Sequence, residues 1–93
     1  MSLKSVRIVI QGRVQGVWFR GWMIQQVNRL NIRGWVRNRR DGSVEALISG
    51  PLVEVDEMIS ACRQGPPVAH VTSLTEESCD PPEAEGFHGL PTV

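Results

Sequence analysis

The runs "RGWVRN" (33–38) and "SVEALIS" (43–49) both read as strands, and only "RRDG" stands between them. Asp-Gly supplies the positive φ that tight hairpin turns need, so the two runs should form an antiparallel pair. What flanks this hairpin sets the rest of the chain. Upstream, "SVRIVIQ" (5–11) alternates Val6, Ile8 and Ile10 onto one face of a further strand. Between it and the hairpin, "GWMIQQVNRLNI" (21–32) repeats Met23, Val27 and Leu30 at i, i+4, i+7, with Trp22 beside them. That spacing predicts one apolar helical stripe. Downstream, Gly50-Pro51 breaks the strand and admits a helix start.

"LVEVDEMISACRQ" (52–64) then repeats Val55, Ile59 and Cys62, broadened by Leu52 and Met58. Glu54, Asp56 and Glu57 suit a helix N-terminus and Arg63 its C-terminus. Gly65 and Pro66-Pro67 stop it. "AHVTSLTEES" (69–78) predicts another strand and "CDPPEAEG" a loop. "FHGL" (87–90) is a short, weak final strand cut off by Pro91. The order is β-α-β-β-α-β with a terminal strand piece. It predicts an α+β fold, a ferredoxin-like α/β sandwich whose antiparallel sheet carries two helices on one face. At 93 residues the chain is expected to be one domain over 1–93. Met1-Ser2-Leu3 is compatible with native sequence or a cloning remnant.

Charge narrows the function. Ten basic and ten acidic residues cancel, which argues against a dedicated nucleic-acid or membrane-surface protein. Yet the first 40 residues carry basic side chains and no acid, the acids beginning at Asp41. That asymmetry suits a local seat for a small anion or a solvated face. Cys62 and Cys79 have no disulfide framework around them, so reduced thiols in a cytoplasmic protein are expected. No signal peptide is visible, and nothing approaches the roughly 18 apolar residues of a membrane span.

The loop "GRVQGVWFR" (12–20) contains no His, Asp, Glu, Ser, Lys or Cys. A strand-to-helix loop can nevertheless gather its N–H groups into an anion nest, and the following helix N-terminus adds partial positive charge. Gly12 and Gly16 are expected to permit positive φ and close approach of the backbone to a ligand.

This loop, followed by "GWVRNRRDGSVE" (34–45), resembles the acylphosphatase family. "GPLVEVDEMISACRQGPPVAHVTSL" (50–74) is also similar to that family's second helix, its Gly-Pro-Pro stop and the following strand. The resemblance implies hydrolysis of the carboxyl–phosphate anhydride of an acyl phosphate, with no metal and no cofactor. It implies Arg20 and Asn38 as the catalytic residues. It also implies a phosphate cradle of backbone amides from Gly12, Arg13, Val14, Gln15, Gly16, Val17 and Trp18, whose side chains matter mainly for the loop's shape. The chemistry suits these residue types. An acyl phosphate is already activated, so positioning and charge stabilisation can carry most of the rate. A guanidinium fork binds two phosphate oxygens at once, and an amide can hold a water by accepting and donating hydrogen bonds.

The expected partner is a small-molecule acyl phosphate, with no nucleic acid, no membrane and a monomeric chain. The alternative is a non-catalytic accessory module binding acyl or carbamoyl phosphate, similar to the small N-terminal domain of hydrogenase-maturation carbamoyltransferases. A nucleic-acid-binding ferredoxin-like domain would need exposed sheet aromatics in an RNA-recognition signature, and a metal chaperone would need C-x-x-C; neither pattern is present.

The remaining polar residues take plainer readings. Arg13, Arg37, Arg39 and Arg40 are expected to be solvated, Asp41 to shape the turn, and His70 and His88 to be structural. Cys62 is expected in the core, Cys79 in a loop, and Trp22 and Trp35 in or around the core. Gly21 and Met23 depart from the family pattern, which often has a larger residue and a small hydroxyl residue there; a looser cradle is expected. The interrupted tail "GFHGLPTV" is expected to affect stability more than chemistry.

Overall fold

The structure, a computed structural model, describes residues 2–93. Strands β1 (Leu3–Arg13), β2 (Arg33–Asn38), β3 (Val44–Pro51), β4 (His70–Ser78) and β5 (Phe87–Gly89) form one sheet in the order β4-β1-β3-β2-β5. Helices α1 (Phe19–Val27) and α2 (Leu52–Gln64) pack against it. The four long strands are antiparallel, whereas β5 joins β2 in parallel and makes the sheet mixed.

Alternation of side chains builds the core. Val6, Ile8 and Ile10 of β1 stand in register with Ile48, Ala46 and Val44 of β3, and all are buried beneath the helices. The α2 stripe is Val55, Met58, Ile59 and Cys62, and burial pushes the Cys62 thiol up to about 12. Leu52, expected on that stripe, is instead 38% exposed at the helix start. Helix α1 begins and ends earlier than its periodicity predicts. Phe19, one turn before Met23, is fully buried and extends the stripe to Phe19, Met23 and Val27. Asn28 to Asn31 form a turn instead of helix, in keeping with the low helix propensity of asparagine. Met23 is fully buried, so it anchors α1 to the sheet.

The predicted hairpin is present. Arg39 N–H donates to Ser43 O at 2.9 Å, and the Asp41 carboxylate accepts from the N–H and hydroxyl of Ser43 at 2.9 and 2.6 Å. These bonds, the hydroxyl first, hold the Asp41 carboxyl below its ordinary value, and its place is that of a turn residue.

On the sheet face away from the helices, Glu45 is only 4% exposed. It accepts from Arg37 Nε at 2.7 Å and from Arg7 Nε. Burial pushes its carboxyl up, but the two guanidinium hydrogen bonds outweigh that and leave it below the ordinary value. Arg37 is therefore a paired, half-buried residue and not a solvated one, and it also lies 4.6 Å over the Trp35 ring. Trp35 thus packs on this open face, while Trp22 packs at the edge of the core, edge-on to Phe19.

Candidate active site

The loop after β1 and the end of β2 meet at one end of the sandwich. Between them lies a cleft of about 380 Å³. Arg20, in the first turn of α1, and Asn38, the last residue of β2, both line it. Eighteen positions separate them in sequence; sheet pairing and helix docking bring them to one place. Arg20 is exposed and Asn38 half-buried. Among the described residues neither side chain has an ion pair or a hydrogen-bond partner in the protein, so both keep their full bonding capacity. Among the described residues Arg20 is also the one ionisable side chain lining the cleft.

Of the seven loop residues assigned to the cradle, Val14, Gln15, Gly16 and Trp18 line the cleft. Gly12 and Arg13 lie within β1, paired with Val71 and His70, and Val17 is buried in the core. Gly12 adopts the expected positive φ, at 123°, but the close approach it permits is that of a neighbouring strand. At the bulge after Gln11, strand β4 comes so close that a Cβ on Gly12 would lie 2.8 Å from the Thr72 amide nitrogen. Gly16 also adopts positive φ, at 72°, with open space around it, and so does Trp18 at 66°. Two left-handed residues so close together turn the chain sharply into α1. The helix N-cap, Trp18, makes no side-chain capping bond and no acid stands in the first turn. The first N–H groups of α1 are thus left for other acceptors, where an anion is favoured.

Two contributors were not legible in the sequence. Gln15 donates through Nε2 to Arg39 O at 2.7 Å and Ser43 O at 2.9 Å. Its side chain therefore ties the loop to the hairpin that carries Asn38. The signal available was a lone amide in an apolar loop, but its acceptors lie 24 and 28 residues away. The second is the tail. Leu90 N–H donates to Val36 O at 2.9 Å and Val93 N–H to Asn38 O at 3.1 Å. This lays the tail along β2, so that Gly89 and Leu90 wall the cleft. The tail bears on the site itself as well as on stability.

Among the described residues, no group of three or more His, Cys, Asp or Glu is placed to hold a metal ion. No helix among them is long and apolar enough to cross a membrane.

Comparison with known proteins shows the family and the fold. The acylphosphatase family profile matches residues 6–89. An acylphosphatase from Rhizorhabdus wittichii is 51% identical over 87 residues, covering 94% of this chain and 88% of its own. One from Acidiphilium cryptum is 50% identical over 80 residues, covering 86% and 88%. The crystal structure of acylphosphatase from Bacillus subtilis superposes with a TM-score of 0.87 at 33% identity, covering 96% of this chain and 99% of that one.

Proposed function

The chain belongs to the acylphosphatase family, and from that premise we propose how its cleft cleaves the carboxyl–phosphate bond of an acyl phosphate to a carboxylate and inorganic phosphate. The phosphoryl group sits against the backbone amides of the loop, with the Arg20 fork on two of its oxygens. Asn38 holds a water in line with the scissile bond. The water attacks phosphorus, the P–O bond to the acyl group breaks, and the carboxylate leaves. With Arg20 the one ionisable side chain in the lining, no acid or base among the described residues is at hand. The water's proton therefore passes to a phosphoryl oxygen. Charge on the equatorial oxygens is met by Arg20 and by fixed N–H dipoles, which need no reorganisation during reaction.

The observation that carries this reading is the convergence of an unpartnered guanidinium and an unpartnered carboxamide on one cleft at an uncapped helix start. The partner is a small-molecule acyl phosphate, with neither nucleic acid nor membrane involved. Two free cysteines support a reducing, cytoplasmic setting, and the working unit in this reading is the monomer. Purified chain is expected to hydrolyse benzoyl phosphate at the same rate with and without EDTA. No turnover by folded protein would favour a binding module that only holds its ligand, and loss with EDTA would refute the metal-free route.

Gln15 acts as a positioning residue. Gln15→Ala deletes two side-chain hydrogen bonds at about 1 kcal/mol each. The thermal midpoint should fall by roughly 4–8 °C per kcal/mol for a domain of this size. Because the loop then loses its register with Asn38, kcat/KM should fall about tenfold as well. Thermal unfolding measured beside benzoyl phosphate hydrolysis checks both; a loss of stability with no loss of rate would leave Gln15 a purely structural tie.

A further inference from the structure

Trp18 is an oddity for a loop residue. It is 61% exposed, it borders the cleft, and it holds a left-handed backbone at φ 66° that a bulky residue rarely adopts. Its indole has a dedicated seat. A Cβ on Gly21 would lie 2.5 Å from Trp18 Cε2 and 2.7 Å from Cδ1, well inside contact distance. The glycine in the first turn of α1 is therefore the space in which the indole rests. It need not loosen the cradle, as the sequence alone suggested.

The indole has apolar company. Ile24 stands one helical turn beyond Arg20, on the same face of α1, and lines the same cleft. Leu90 of the tail lines it too. The lining thus combines polar side chains, Gln15, Arg20 and Asn38, with large apolar ones, Trp18, Ile24 and Leu90 among them. An apolar cavity of about 150 Å³ holds a benzene ring, so a cleft of about 380 Å³ has room for a phosphoryl group and one ring. Among the described residues no second cation lines it to pair with an anionic acyl group.

We propose that Trp18, Ile24 and Leu90 form an acyl-group site, with Trp18 its aromatic wall, and that the enzyme selects acyl phosphates with a compact apolar, preferably aromatic, acyl group. This rests on the acyl-phosphate reading of the same cleft. Stacking and burial of a ring favour it over a methyl group, and specificity of this kind is worth tenfold or more.

The test is the ratio of kcat/KM for benzoyl phosphate to that for acetyl phosphate. Trp18→Gly keeps the left-handed backbone available, because glycine adopts it freely, while removing the wall. The ratio should fall about tenfold, mostly through KM for benzoyl phosphate, and Trp18→Phe should restore most of it. Gly21→Ala fills the seat and displaces the indole while adding helix propensity. It should lower the ratio without lowering the thermal midpoint. An unchanged ratio in Trp18→Gly and Gly21→Ala, or an equal fall for both substrates, would overturn the acyl site and leave the hydrolase reading standing. If wild type turned over neither substrate, the hydrolase reading would fail, and the acyl site with it.

Discussion

Arg20→Ala lowers kcat/KM for benzoyl phosphate by about 10²–10³-fold and leaves the fold intact. The magnitude follows from the loss of a preorganised donor at the developing charge, about 2.7–4 kcal/mol. The spared fold follows from the environment of Arg20, exposed in the first turn of α1 and without a protein partner among the described residues. Surface substitutions of that kind usually change stability by less than about 0.5 kcal/mol. Arg20→Lys should recover only part of the loss, because an ammonium supplies charge without the planar fork. Inorganic phosphate, as a competitive inhibitor, should bind Arg20→Ala far more weakly. A folded Ala variant with wild-type kcat/KM would remove Arg20 from the mechanism.

Asn38→Ala has the second largest effect, and a different signature. Its role is to hold the water, so kcat should fall by on the order of 10²-fold, while inhibition by phosphate changes little. The backbone is spared, because Asn38 bonds the tail and β3 through main-chain groups that alanine retains. Asn38→Asp should do no better than alanine, since a carboxylate facing a phosphate dianion repels it. Steady-state rates together with phosphate inhibition constants separate the two roles. If Asn38→Ala weakened phosphate binding as much as it lowered kcat, Asn38 would be a phosphate ligand instead of the water's holder.

These contrasts depend on how the two residues reach the cleft, and that part was only half legible beforehand. Helix α2 fell on its predicted residues, 52–64, and β2 on 33–38, because local signals punctuate both. Gly50-Pro51 and Gly65-Pro66 bound the helix, and the Asp-Gly turn pins the end of β2. Helix α1 shifted toward the loop because the burial of Phe19 extended its stripe by a turn. That shift is what puts Arg20 inside the first helical turn, next to the uncapped N–H groups.

The open sheet face shows the same limit. Arg37 reads as one of four solvated arginines until its register with Glu45 is known. The pairing then holds a carboxylate at 4% exposure between two guanidinium groups.

By itself the sequence determined the element order and the family, because each is announced by a contiguous pattern: alternation, a helical stripe, a turn dipeptide, a motif; the family motif also singled out Arg20 and Asn38, the two residues that the hydrolytic proposal uses. Tertiary structure alone decided the rest. Gln15 found its acceptors across the hairpin, Gly12 proved necessary for the approach of β4, and Gly21 became the seat of Trp18. The tail, weak as a strand, lay parallel along β2 and closed the cleft with Leu90. The reason is common to all four. Each depends on a partner brought near by packing, or on a side-chain direction set by φ, and neither quantity is carried by local residue order.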